Sequence, residues 1–417
     1  MSVLIKNIIF DNGEGDIFIE GNKIGKIAKN LNLKADEKID GKGEKVILPG
    51  LINCHCHSAM NLLRGYADDL PLKNWLEKKI WPLEAKLNEE DVYWGAKLAC
   101  LEMIKTGTVC FNDMYWHFKH PEVTVSAIKE MGLRAVVGLT MFDSVAEGTK
   151  EVVEKTYSRV ESKYVQSIVF SLAPHSIYAV SRENLIWAKD FAKKNNLLLH
   201  VHLSEIEKEA KDCFKKYNLR PVEFLNKMGF LNKNCILAHS IWLSDKEIKI
   251  LGERKCNVVY CPCSNMKLAS GFFPYKKLKK AGVNICLGTD GAASNNNLDM
   301  FEEMKFASLL PKIKEKDPTT APASEIFEAA TKNGAGALKM DIGEIKEGKL
   351  ADLILIDLNQ ICLAPGHNLI SDLVYSCSGN CVTDLICNGK ILMRDRKVKG
   401  EEKIIREAAK RADNLAS

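Results

Sequence analysis

The chain contains no Gly-x-Gly-x-x-Gly, no P-loop and no Cys-x-x-Cys pair, and none of its apolar runs approaches the ~18 residues of a membrane helix. The missing glycine fingerprints argue against a doubly wound dinucleotide or phosphate fold, the nearest rival architecture. The missing apolar run excludes a membrane-spanning helix. The start, Met1-Ser2-Val3-Leu4-Ile5-Lys6, has neither a long apolar core nor a small-residue cleavage site. The 14 cysteines are scattered without paired spacing, so a secreted disulfide framework is not expected. A cytoplasmic protein with reduced thiols is. Basic and acidic residues nearly balance, giving a net charge of +5, and they are interspersed. A nucleic-acid binder would concentrate its positive charge in a stripe, so neither nucleic acid nor membrane is expected as a partner. There is no internal repeat and no low-complexity linker.

What is present is a 417-residue chain with 46% hydrophobic residues, enough for a large core and more than one domain. Its two ends share a texture of short strands and tight turns. Val3 to Phe10, Asp16 to Glu20 and Lys23 to Ala28 read as strands, with Gly21-Asn22 as a turn. Leu353 to Asp357, Asp384 to Cys387 and Ile391 to Met393 repeat the pattern around the turn at Asn388-Gly389-Lys390. Residues 1–47 and 346–417 are therefore expected to build one composite β-sandwich domain. Between them, residues 48–345 alternate strand and helix patterns. Thr108 to Phe111, Arg134 to Leu139, Ile168 to Ala173, Leu197 to His202, Asn234 to Ala238, Asn257 to Tyr260 and Asn284 to Leu287 join the strand ending at His55 to make eight. Amphipathic stretches such as Val92 to Lys105 separate them. Eight such units over about 300 residues predict a (β/α)8 TIM-type barrel of the α/β class.

In such a barrel the working residues stand at the C-terminal ends of strands. The first strand closes in Cys54-His55-Cys56-His57, the fifth in Leu199-His200-Val201-His202 followed by Glu205, the sixth in Ala238-His239, and the eighth runs into Gly288-Thr289-Asp290-Gly291. Residues two apart on a strand point the same way, so His55 and His57 can grip one ion while Cys54 and Cys56 face away from it. Neutral imidazole and carboxylate suit one divalent cation, zinc first and iron second. We take His55, His57, His202 and Asp290 as its ligands. Such an ion lowers the pKa of a bound water toward ~7. Glu205, three residues beyond His202, is placed as a proton shuttle and His239 as the group that orients the water. His200 shares the face of His202 and is left to a supporting or core role. A competing motif, His120-Pro121-Glu122 with Pro262-Cys263-Ser264-Asn265-Met266, fails the pattern of the nucleobase-editing zinc deaminases, because Met266 replaces the second cysteine.

Pro49-Gly50-Leu51-Ile52-Asn53-Cys54-His55-Cys56-His57, His202-Leu203-Ser204-Glu205, Ala238-His239 and Thr289-Asp290-Gly291 resemble the amidohydrolase superfamily nearly end to end. Leu72-Lys73-Asn74-Trp75-Leu76, Trp81-Pro82-Leu83-Glu84, Asn112-Asp113-Met114-Tyr115 and Ala173-Pro174-His175-Ser176 resemble its 5′-methylthioadenosine/S-adenosylhomocysteine deaminase branch. The resemblance implies hydrolytic deamination of a 5′-modified adenosine, with Glu205, His239 and Asp290 managing protons. It implies that Glu84 accepts hydrogen bonds from ribose hydroxyls and that Trp75, Arg134 and His175 line the nucleoside site. Deamination or dechlorination of another heterocycle, such as guanine or a triazine, on the same metal centre is the alternative. A homo-oligomer is expected for an enzyme of this size. One segment departs from the family: Tyr260-Cys261-Pro262-Cys263-Ser264-Asn265 stands where many relatives carry His-x-Pro-x-Ser-Asn.

Overall fold

The computed structural model describes residues 1–10, 13–115, 121–160 and 167–416. Eight parallel strands, Leu51–Cys56, Thr108–Met114, Arg134–Met141, Ile168–Pro174, Leu198–Leu203, Cys235–His239, Asn257–Tyr260 and Asn284–Leu287, pair strictly in chain order. These are the eight segments expected from the sequence. They read as near-continuous Val/Ile/Leu/Ala runs because each strand is buried on both faces, by the barrel interior and by the surrounding helices. The last strand is joined to the first mainly through side chains. Thr289 N–H donates to Asn53 Oδ1 (3.0 Å), Asn53 Nδ2 donates to Thr289 Oγ1 (2.7 Å), and Asp290 N–H donates to the His55 carbonyl (2.9 Å). Closing the barrel therefore also sets Asp290 beside the first-strand histidines.

The helices between strands are cut by local signals. Glu89–Lys105 begins at Asn88, whose Oδ1 accepts from Glu90 and Asp91 N–H (2.9 and 3.1 Å) while Asp91 Oδ2 accepts from Asn88 N–H (2.9 Å). This helix is covered on one side by the barrel and on another by the C-terminal helix Glu401–Ala416, whose Ala408 and Leu415 enter the cluster of Leu83 and Leu87.

Strands from both ends of the chain form a second, mixed sheet, as the sequence implies. Its order is Lys397–Val398, Lys390–Arg394, Val382–Cys387, Leu353–Asp357, Glu37–Pro49, Ser2–Phe10, Gly13–Glu20, Lys23–Ala28. The sheet curls until its far edge meets the chain again: Ile24 N–H donates to the Lys349 carbonyl (2.9 Å), and Ala351 N–H to the Asn22 carbonyl (2.9 Å). Inside the curl lie Val3, Ile5, Ile17, Ile19, Ile24, Ile39, Ile47, Leu353 and Leu355, each fully buried branched side chain contributing roughly 1.5–3 kcal/mol. Strand Glu37–Pro49 passes directly into the barrel through Gly50, where a Cβ would fall 2.2 Å from Val109 Cγ1. Only glycine permits that approach, and it couples the two cores.

Candidate metal and catalytic site

At the C-terminal mouth of the barrel, His55, His57, His202 and Asp290 converge as the strand ends imply. Asp290 Oδ1 lies 3.1 Å from His57 Nε2 and 3.4 Å from His55 Nε2, and His57 and His202 Nε2 are 3.3 Å apart. His239 joins from the sixth strand, its ring nitrogen within 4.8 Å of those of His55 and His202. Gly288 allows the convergence, since a Cβ there would sit 2.8 Å from His55 N.

The surroundings decide which nitrogen each ring presents. His57 Nδ1 donates to the Met114 carbonyl, and His202 Nδ1 donates to the His175 carbonyl (2.8 Å). Both Nε2 atoms are thereby left as lone pairs facing the cluster. His55 Nδ1 lies 2.9 Å from His200 Nε2, and His200 Nδ1 lies 3.1 Å from Asn112 Nδ2. His200 thus steers His55 from behind. Buried His55 Nε2 has no hydrogen-bond partner among the described residues, the condition of a ligand atom aimed at a cation. His239 differs: its Nδ1 accepts from Asn265 Nδ2 (2.9 Å), which puts its proton on Nε2, facing Glu205 Oε2 at 3.8 Å. A donor at that position orients an oxygen and does not ligate.

Asp290 is held by groups the sequence reading did not single out. Ser264 Oγ (2.6 Å) and Ser294 Oγ (3.0 Å) donate to Oδ2, and Gly291 N–H (2.9 Å) donates to Oδ1. Ser264 and Asn265 belong to the segment with the Tyr260-Cys261 departure. Tyr260 is used elsewhere, stacked on Phe273 with ring centroids 4.1 Å apart. The Ser-Asn pair after Pro262 and the serine four residues beyond Asp290 were the available signals. The left-handed backbone of His239 (φ 69°) and Asp290 (φ 61°) is a conformation side-chain-bearing residues rarely adopt.

Electrostatics separates the carboxyls. Burial would raise the Asp290 pKa, but the His55 and His57 rings set against Oδ1 outweigh it and hold the group well below the usual range. Glu205 goes the other way: burial, reinforced by the negative charges of Asp290 and Glu209, pushes it well up. Burial lowers His175 and His239 to about 3 and drives His202 far down, keeping these rings neutral. Burial also lowers His55, whereas at His57 burial is outweighed by the neighbouring Asp290 carboxylate, which raises the ring and holds on it a proton that a bound cation would displace. Three imidazoles and an ionised carboxylate around one point form a donor set for a divalent cation of the zinc or iron class.

Trp75, His175, Glu205, His239 and Asp290 line one cavity over this cluster, with Leu72, Leu76 and Trp81 above. Trp75 Nε1 donates to the Ala67 carbonyl (3.0 Å), and the His175 ring packs 4.5 Å from those of Phe142 and His202. Glu84 ends the short helix Trp81–Glu84, is buried, and accepts from Tyr115 Oη (2.9 Å), one residue past the Met114 carbonyl that holds His57. Cys54 and Cys56 face the outer core, as strand alternation requires.

Arg134 is corrected. It opens its strand, so it stands at the opposite end of the barrel from the cavity. Its Nε donates to both Asp352 oxygens (2.8 and 2.9 Å) and its Nη2 to Asn388 Oδ1 (2.8 Å), pinning the terminal sheet to the barrel. His120 of the competing motif lies outside the described residues.

The amidohydrolase family pattern matches residues 46–392. The chain is 48% identical over 404 residues to a 5-methylthioadenosine/S-adenosylhomocysteine deaminase of Thermococcus sibiricus, covering 94% of each chain. It is 45% identical over 424 residues to a 5′-deoxyadenosine deaminase of Methanoregula boonei, covering 99% of this chain and 95% of that one. Among solved structures, an adenosine deaminase from Xanthomonas campestris with bound zinc superimposes with a TM-score of 0.93 at 32% identity, over 99% of this chain and 98% of that one. With its barrel, its composite second sheet and its strand-end histidines, the chain belongs to the amidohydrolase family, in the branch of these adenosine-derivative deaminases.

Proposed function

We propose that the chain is a metal-dependent hydrolytic deaminase of 5′-modified adenosines, among them S-adenosylhomocysteine, 5′-methylthioadenosine and 5′-deoxyadenosine, releasing ammonia and an inosine-type product. The observation that carries the reading is one buried cluster combining three Nε2 donors, an Asp290 carboxyl whose pKa is held well down and, at its edge, the Glu205 carboxyl whose pKa burial pushes well up. His55, His57, His202 and Asp290 would hold the cation, zinc by the hardness of the donor set and iron as the second choice. When bound, it supplies Lewis acidity that makes hydroxide available near neutral pH.

The protein's own groups do the rest. Glu205 gives its proton to the purine ring nitrogen beside C6, making that carbon electrophilic. His239, a donor through Nε2, steadies the oxygen that attacks C6. Asp290 takes the attacking water's proton and, fixed by Ser264 and Ser294, returns one to the departing amine. Protonated amine leaves as ammonia, and the proton shed by the C6 hydroxyl as C6=O forms returns to the Glu205 carboxylate. Trp75 and His175 wall the nucleoside, with Glu84 accepting from its ribose hydroxyls.

The test is ammonia release from a panel of the three 5′-modified adenosines, adenosine, guanine and a chlorotriazine. Turnover of the adenosine set is expected. Turnover confined to guanine or the triazine overturns the substrate reading. Glu84→Ala sharpens it, since the nucleosides should lose more kcat/KM than a base lacking ribose.

A further inference from the structure

Far from the barrel mouth, three cysteines that no part of the deaminase scheme uses come together. Cys362 lies in the turn Ile361–Leu363, Cys377 follows the helix Leu369–Tyr375, and Cys381 closes the turn Gly379–Cys381. All three belong to the segment joining strands Leu353–Asp357 and Val382–Cys387 of the terminal sheet. Their sulfurs lie within 4.8 Å of one another; Cys362 Sγ is 3.2 Å from Cys381 Sγ and 3.9 Å from Cys377 Sγ. Cys377 and Cys381 are buried and Cys362 is half-buried.

We propose that Cys362, Cys377 and Cys381 form a thiolate site for a soft divalent cation of the zinc and cadmium class. The first argument is distance. Three thiolates at the Zn–S length of about 2.3 Å in tetrahedral array have their sulfurs about 3.8 Å apart, the spacing this trio brackets. The second is preorganisation. The Gly379–Cys381 turn is fixed before any ion arrives: Gly379 N–H donates to Asp299 Oδ2 (2.8 Å), Arg396 Nη1 donates to the Gly379 and Val382 carbonyls (3.0 and 2.9 Å), and Gln360 Nε2 donates to the Cys381 carbonyl (2.8 Å). The third is access. The other cysteines that hydrogen-bond to one another, Cys54 with Cys286 and Cys235 with Cys256, are pairs sealed in the barrel core. This trio has one half-buried member, Cys362, so that an ion can reach it from solvent. Binding would release the thiol protons to solvent. It would cross-link the segment that packs on the barrel helices Met300–Glu315 and Ala323–Ala329.

The experiment is a Cd²⁺ titration of the reduced, zinc-loaded full-length protein, followed by thiolate-to-metal charge-transfer absorption and by metal analysis. The barrel-mouth set contains no sulfur, so the band reports the cysteine site alone. Wild type is expected to take a second ion per chain and show the band. Cys381→Ser and Cys362→Ser, the latter changing the most accessible and least disruptive position, should each abolish both while keeping one ion at the barrel mouth and full deaminase activity. Cys213→Ser, remote from the trio, should keep the band. A single ion per chain without the band, a band that survives in both trio variants, or a disulfide among these cysteines that persists in protein purified anaerobically overturns the proposal.

Discussion

Replacing Arg134 with methionine separates a structural from a substrate-binding role by measurement. The guanidinium is fully buried and paired with Asp352, which itself has no exposed surface and also accepts from Cys387 Sγ (3.2 Å) and Asn388 N–H (3.0 Å). Methionine fills most of the volume but leaves a carboxylate buried without its cation. Breaking one partner of a buried pair costs about 3–5 kcal/mol. That is a large share of a typical total stability of about 5–15 kcal/mol and, for a chain of 417 residues, corresponds to a fall in Tm of about 3–6 °C. The cost should shrink when Asp352→Asn is added, because the stranded charge is then gone. Thermal unfolding by calorimetry gives the stability. Steady-state kinetics on the folded fraction should return KM and kcat close to wild type, since the residue stands at the far end of the barrel. A variant that keeps its Tm but shows KM raised tenfold or more would refute this account and restore Arg134 to the substrate.

Three further outcomes follow from the site. Glu205→Gln should retain the metal and the fold and lose about 10²–10⁴-fold in kcat; metal analysis beside the kinetics checks both halves. Asn265→Ala frees His239 Nδ1 and should cost about 10–100-fold in activity with little change in bound metal; unchanged kcat would remove Asn265 from the orienting role. Glu303, buried between Asn295 Nδ2 (2.6 Å) and Cys263 N–H (3.3 Å), is pushed up by burial to about 8 from 4.5. Its folded carboxyl binds a proton more tightly than the unfolded one, so its contribution to stability is whole below pH 4.5 and is lost as pH rises through about 8, at up to about 1.4 kcal/mol per pH unit. Urea unfolding from pH 5 to 9 should show this decline in wild type and a flatter profile in Glu303→Gln.

The sequence alone determined the architecture and the heart of the site. Eight apolar runs alternating with helical stretches, without the glycine fingerprint of a doubly wound sheet, point to a barrel, and the barrel rule then sends His55, His57, His202, Glu205, His239 and Asp290 to one mouth because each sits at or just past a strand's C-terminal end. Alternation along a strand was enough to turn Cys54 and Cys56 away. Tertiary structure decided everything that depends on which residues meet across elements distant in the chain. Arg134 has the same local pattern whether it lines a pocket or pairs with Asp352, 218 positions later; only the docking of the terminal sheet distinguishes them. Likewise Ser264, Asn265 and Ser294 are ordinary polar residues in sequence and become supports of Asp290 and His239 only through the short helices Pro262–Lys267 and Ala292–Asn295 that follow the seventh and eighth strands. The meeting of Cys362, Cys377 and Cys381 is partly of the same kind: Cys377-x-x-x-Cys381 is a ligand spacing visible in the sequence, but Cys362, 15 positions earlier, joins it only because a short helix and two turns fold the connecting segment back on itself.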